Sequence, residues 1–182
     1  MDKYIVNKAD AVLLLIDLQE KLMQAIYSRD EVSKNVNIML KAAQLMGIPI
    51  VLTEQYPKGL GSTLPELKQN AGLCHYIEKV KFSAYVPEMQ DVLTKINRRT
   101  VIVTGVETHI CVYQTVRDLI ANGFGVHVVK DAVGSRTREN YNNALQLMRE
   151  VGAVISNAET ILFDLLKTSA AFEFKQISAL VK

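Results

Sequence analysis

The chain has 182 residues, 49% hydrophobic and 22% charged, which predicts one domain over 1–182 and excludes disordered, collagen-like and disulfide-dense classes. Its 21 Lys and Arg against 19 Asp and Glu leave a net charge of +2, too little for a nucleic-acid footprint. A chain this long buries roughly 70% of the surface it exposes when unfolded, so folding needs neither metal nor disulfide.

The densest basic groupings, Lys130 with Arg136 and Arg138 and the Arg98–Arg99 pair, read as solvated charge around turns. The longest apolar run, Ala11 to Ile16, has six residues, against the ~20 that a membrane-spanning helix needs. Residues 1–4 open no signal-peptide pattern, so a cytoplasmic protein is expected, an organelle matrix being the other reducing space open to it. Cys74 and Cys111 are separated by 36 residues, a spacing that makes no zinc, redox or disulfide pattern.

In chain order, Ala11 to Ile16 reads as a strand buried on both faces of a parallel sheet. Glu31 to Met46 places Val32, Val36, Met39, Leu40, Ala43 and Met46 on one helical face, stopped by Gly47 and Pro49. Ile48 to Leu52 reads as the second strand and His75 to Val80 as a weaker third, with one long loop, Gln55 to Gly72, as a candidate pocket wall. Pro87 opens a helix with Met89, Val92, Leu93 and Ile96 inward. Thr100 to Thr104 is the fourth strand, Val112 to Ile120 the next helix, closed by Asn122–Gly123, and Gly125 to Val129 the fifth strand. Thr137 caps a helix that buries Tyr141, Ala144, Leu145, Met148 and Val151 and ends at Gly152. Ala153 to Ser156 is the sixth strand, and Glu159 to Leu166 with Phe172 to Val181 cover the end. Strands alternating with helices predict an α/β fold: a three-layer, doubly wound, mainly parallel six-stranded sheet with helices on both faces.

Sheets of this kind often bind nucleotides, yet the segment after the first strand, IDLQEK, lacks the glycines that admit a pyrophosphate, and no GxxxxGK[ST] occurs. No GxSxG elbow is present. His75, His109 and His127 show neither HxH nor HExxH spacing. The expectation is therefore no cofactor and no metal.

Chemistry is expected beyond the carboxyl ends of the strands. Asp17 follows the first strand, where a carboxylate facing a low-dielectric pocket serves as a base, or else as a loop cap. Cys111 falls in a first helical turn with Thr108 as N-cap; free amides and the helix dipole there favour a thiolate and hold an oxyanion, whereas a buried cysteine elsewhere is simply core. Lys79, at the end of the third strand, would hold Asp17 and stabilise negative charge, and Lys81 on the same face competes with it. Cys74 reads as structural. A Cys111–His109 dyad ranks below the Asp/Lys/Cys set.

Three segments taken together, LLLIDLQ around Asp17, KVKFSAY from Lys79 and GVETHICV around Cys111, resemble the isochorismatase-like cysteine hydrolases, a Rossmann-like family that includes nicotinamidases and N-carbamoylsarcosine amidohydrolase. TEQYPKGLG and VVKDAVGSR extend the likeness toward its isochorismatase domain-containing proteins. The resemblance implies a triad of Asp17, Lys79 and Cys111, because the K-x-x-[YF]-S-A-[FY] pattern matches Lys79, Phe82, Ser83, Ala84 and Tyr85 and leaves Lys81 at a variable position. It also implies a cis peptide between Val106 and Glu107 and an oxyanion hole made by the backbone amides of Glu107 and Cys111. Gln19, Gln55, Phe82 and Tyr85 are near enough in the motifs to line the pocket.

Metal-binding nicotinamidases carry an aspartate and histidines after the second strand, and TEQYPKGLG has neither. The expected activity is metal-independent hydrolysis of a small amide, carbamoyl or related compound through a Cys111 thiolate and a thioester-like intermediate. The alternatives are a catalytically weak binding or scaffold protein and, with less support, a nuclease. A homo-oligomer, dimer or tetramer, is implied by resemblance; no nucleic acid or membrane partner is expected.

Overall fold

All six residues of β1 (Ala11–Ile16) are buried, as a continuous apolar run requires of a strand covered on both faces. Successive side chains leave opposite faces of a strand, and here Val12, Leu14 and Ile16 enter one apolar cluster while Ala11, Leu13 and Leu15 enter another. The sheet therefore separates two cores. The computed structural model describes residues 3–182.

Six parallel strands, β1, β2 (Ile50–Gln55), β3 (His75–Lys79), β4 (Thr100–Val106), β5 (Gly125–Gly134) and β6 (Val154–Ser156), lie in the order β3-β2-β1-β4-β5-β6. One face is covered by α2 (Arg29–Leu45), α8 (Ala158–Leu166) and α9 (Phe174–Leu180), through residues such as Val36, Leu40, Leu162 and Ile177. The other is covered by α5 (Pro87–Ile96), α6 (Tyr113–Ala121) and α7 (Arg138–Glu150), through Met89, Leu93, Val116, Leu119 and Met148. The doubly wound three-layer α/β architecture is the one the sequence predicts. Among the described residues no helix is long and apolar enough to cross a membrane.

Local differences have identifiable causes. β2 starts two residues later than its apolar run because Ile48 belongs to the end of α2. Its N–H donates to Ala43 O at 2.8 Å and that of Gly47 to Gln44 O at 3.3 Å, with Gly47 at φ 64°: a Schellman cap. The segment read as one long loop from Gln55 holds the end of β2 and two short helices, α3 (Pro57–Leu60) and α4 (Pro65–Ala71), each opened by its proline. A further short helix, α1 (Glu20–Gln24), follows β1. β5 runs on to Gly134 because its register with β4 shifts, Val103 pairing with Val128 but Gly105 with Val133. The extra residues place Lys130 and Asp131 inside the strand, which hides its apolar period.

The sheet order reverses between β1 and β4: the chain leaves β1 toward β2 and β3, then returns to the other side. This is where an open parallel sheet offers a crevice. β1 and β4 approach closely at its mouth. Gly105 has φ 119°, and a Cβ there would stand 2.1 Å from Ile16 O and 2.6 Å from Ile16 N, backbone atoms that have nowhere to go. Gly47, also at positive φ, has nothing within 4 Å of its hypothetical Cβ. Gly105→Ala should therefore cost at least about 3 kcal/mol, against about 1–2 kcal/mol for Gly47→Ala. Urea midpoints check the ordering, and equal losses would refute the close-approach account.

Candidate active site

Asp17 leaves β1 in the left-handed region at φ 53°, which a short polar side chain tolerates. Its N–H donates to Thr53 O at 3.1 Å, and its carboxylate is fully buried. Thr53 Oγ1 donates to Oδ1 at 2.7 Å, and Lys79 Nζ reaches Oδ2 at 2.6 Å. The ammonium also donates to Gln55 Oε1 at 2.8 Å, and the carbonyls of Phe82 and Lys81 lie at 3.0 and 3.2 Å. A lysine ammonium has three protons, so this buried cation is fully satisfied. β3 ends at Lys79, and Lys81 contributes only its carbonyl to the cluster.

Cys111 sits in a π turn, Thr108–Val112, that runs directly into α6. It is 5% exposed and belongs to the apolar cluster of Ile16, Ala84, Val112 and Val133, yet it is close enough to the Asp17 carboxylate, the Lys79 ammonium and the Glu107 backbone amide for all three to act on its thiol. The Val106–Glu107 peptide is cis. Sulfur from the turn after β4, carboxylate from the residue after β1 and ammonium from the end of β3 thus meet at one end of the sheet.

A lowered thiol pKa, expected from a helix start, is overturned. The Cys111 thiol is pushed up to about 12, first by burial and then by the Asp17 charge, with Lys79 and the Glu107 amide opposing. Asp17 and Lys79 already cancel, and a resting thiolate would leave the buried trio with a net charge. Cys74 is half-buried, and its thiol is also raised by burial, with Lys68 opposing. With both thiols raised, acidity gives no reason for Cys111 to be alkylated in preference to Cys74. Thr108 is not an N-cap: Glu107 holds that position without a side-chain cap bond, and the buried Thr108 Oγ1 has no hydrogen-bond partner among the described residues.

The other motif residues play varied parts. Gln19 is fully buried and cross-braces two segments: its Nε2 donates to Gln55 O and Gly61 O, and its Oε1 accepts from Gln55 N. Its side chain is spent on holding the 55–63 segment. Gln55 orients Lys79, and its Nε2 donates to Val80 O. Phe82 projects a half-exposed ring, and Tyr85 packs edge-on against Phe124. His109 Nδ1 lies 3.0 Å from Ser135 Oγ, so the imidazole is engaged away from the sulfur.

Two buried threonines were not singled out from the sequence. Thr53 orients Asp17. Thr115 Oγ1 donates to Cys111 O at 2.6 Å and accepts from Ala84 N at 2.8 Å, stitching the cysteine turn to the loop after β3. Thr115 lies four residues beyond Cys111, the spacing at which a threonine bonds back to a helical carbonyl; that was the available signal. Among the described residues no group of three or more His, Cys, Asp or Glu could hold a metal ion. A cleft of about 310 Å³ between Tyr56, Pro57, Lys58, Glu78 and Val80 borders Lys79.

With this geometry in hand, comparison with known proteins is informative. The Isochorismatase domain family matches residues 11–160. Isochorismatase domain-containing protein 2 of Bos taurus is 42% identical over 172 residues, covering 94% of this chain and 83% of that protein. A solved structure from Caenorhabditis elegans, named Mar1 ribonuclease, is 37% identical and superposes with a TM-score of 0.93 over 97% of this chain and 92% of that one. YcaC from Pseudomonas aeruginosa, solved with hexane-2,5-diol and covalent acrylamide, is 25% identical with a TM-score of 0.93, covering 100% and 92%. Matching most of its length at these identities, and sharing the six-stranded parallel sheet, the chain belongs to the isochorismatase family, with its hydrolase fold.

Proposed function

We propose that this chain is a metal-independent cysteine hydrolase of a small amide, carbamoyl or related compound, acting as one domain through Asp17, Lys79 and Cys111. The observation that carries this is the fully buried Asp17 carboxylate, held by Lys79 at 2.6 Å and by Thr53 at 2.7 Å, whose charge acts directly on the buried Cys111 thiol. Because the resting thiol is protonated, attack and proton transfer are coupled. The sulfur bonds to the substrate carbonyl carbon as its proton passes to Asp17, and the carbonyl π electrons move onto oxygen. The amides of Glu107 and Cys111 receive that oxyanion. Collapse breaks the C–N bond, and Asp17 returns the proton to the departing nitrogen. Water then adds to the thioester as Asp17 takes its proton. The C–S bond breaks, the acid leaves and the proton returns to sulfur. Lys79 keeps a cation beside each negative form. P. aeruginosa YcaC, which shares the fold, was solved with covalent acrylamide, and acrylamide is an electrophile of the kind that thiols attack, which adds support.

Ribonuclease action is the second reading, favoured by the name of the C. elegans relative. A net charge of +2 without a basic run offers little for phosphates.

Ammonia release from a panel of primary amides and carbamoyl compounds, run beside RNA cleavage, separates the two. Cys111→Ala should lower amide turnover by at least about 10³-fold; full turnover in that variant, or RNA cleavage alone, would end the cysteine-hydrolase assignment. Asp17→Asn gives a sharper test, because it removes both the base and the charge that helps hold the thiol pKa at about 12. With Lys79 left uncompensated, the thiol pKa should fall and iodoacetamide labelling at neutral pH should accelerate, while turnover drops by at least about 10²-fold. Slower labelling in Asp17→Asn would contradict the electrostatic account.

A further inference from the structure

The π turn that carries Cys111 is held from one side by the chain just beyond β5. Arg136 Nε donates to Glu107 Oε2 at 2.7 Å, and His109 Nδ1 meets Ser135 Oγ at 3.0 Å, so the residues on either side of Thr108 are tied to two consecutive positions. That support is firm. Ser135 is fully buried, its carbonyl accepts from Tyr27 N at 3.1 Å, and a Cβ on Gly134 would stand 2.6 Å from Ile26 Cγ2. The side chain of Arg136 is 54% exposed and that of Glu107 only 12%. Such an ion pair contributes little to folding. The residue it grips opens the turn that carries Cys111: its carbonyl accepts from Ile110 N and Val112 N, and its backbone amide favours the Cys111 thiolate.

We propose that Arg136 is a positioning residue: by clamping the Glu107 carboxylate it aims the Glu107 backbone N–H at the Cys111 sulfur and so sets the reactivity of that thiol. This rests on Cys111 being the nucleophile. Arg136 acts wholly through Glu107.

Charge and aim make opposite predictions. As a charge alone, losing Arg136 removes a cation and disfavours the thiolate, whereas losing the Glu107 carboxylate removes an anion and favours it. As a clamp, losing either member loosens the amide and withdraws a hydrogen bond from sulfur. Asp17 from β1, Lys79 from β3 and His109, made less basic by burial, also face this region and are unchanged in every variant.

The test is the rate at which iodoacetamide labels Cys111 in the full chain, read by peptide mass spectrometry between about pH 7 and 10. Arg136→Ala and Glu107→Ala should each slow labelling by about 3- to 10-fold at fixed pH, and the double variant no further, the loss expected for one hydrogen bond. Arg136→Lys should recover most of the rate, and thermal midpoints should stay near that of the parent chain. Opposite directions for the two single variants, or unchanged rates, would overturn the proposal. Should Glu107→Ala lose its native circular dichroism, Glu107→Gln carries the same expectation. Because the readout is the thiol itself, absence of amide turnover would count against the hydrolase assignment and leave this result standing.

Discussion

The buried ion pair between Lys79 and Asp17, 2.6 Å apart and with neither side chain exposed, is the constraint around which the end of the sheet is organised. Removing two charges from water costs several kcal/mol per ion, which is offset only if every proton and lone pair finds a partner. Here each ammonium proton and both carboxylate oxygens have one: Thr53 serves the second carboxylate oxygen, and Gln55 with the carbonyls of Lys81 and Phe82 serves the ammonium. The pair joins strands that are not neighbours, since β2 lies between β1 and β3. It therefore fixes the edge strand and the loop after it relative to the centre of the sheet. Gln19 repeats the device one step outward, tying the start of α1 to the segment after β2.

Topology supplies the place for this pair. The reversal of strand order beside β1 opens the crevice, Gly105 lets β4 approach Ile16 at its mouth, and the following π turn carries the sulfur back over the gap. The shifted register of β5 extends that strand to Gly134, far enough for Ser135 and Arg136 to reach the turn from the opposite side. An irregularity in one strand and a turn of unusual pitch in the next segment thus serve the same few atoms. Both departures occur where regular geometry would leave the side chains out of reach.

Much of this was legible in the sequence, for physical reasons. A strand buried on both faces must be apolar throughout, so β1 announces itself, and the residue that ends such a run is at a sheet end by necessity; Asp17 follows. Apolar spacing and capping chemistry likewise gave α2, α5 and α7, including Thr137, whose side chain accepts from Asn140 N. What stayed hidden is tertiary. Gln19 reads as a polar residue near a pocket because nothing local says that its amide spans two segments. Pro57 and Pro65 read as loop breakers although the rule applied at Pro87, proline in a first helical turn, holds for both. β5 was cut short because Lys130 and Asp131 interrupt its apolar run. The Cys111 titration was misjudged in sign, since a helix start predicts a stabilised thiolate but says nothing of how deeply the sulfur is buried or which carboxylate it faces.

That sign matters for how such a site can be selective. With its pKa pushed up to about 12 by burial and the Asp17 charge, Cys111 rests as the thiol near pH 7. Free thiolate is the form that reacts with stray electrophiles and oxidants, so burial next to a carboxylate protects the sulfur at rest. In the proposed reaction the same carboxylate would take the proton once an acceptor carbon is within bonding distance, negative charge moving from Asp17 through sulfur onto the carbonyl oxygen without the cluster gaining net charge. Under that proposal reactivity would be conditional on a bound, correctly placed carbonyl, and the pre-set cation of Lys79 would spare the site reorganisation at that moment. A depressed thiol pKa would give a faster nucleophile toward everything. The proposed role of Cys111 instead couples nucleophilicity to substrate geometry.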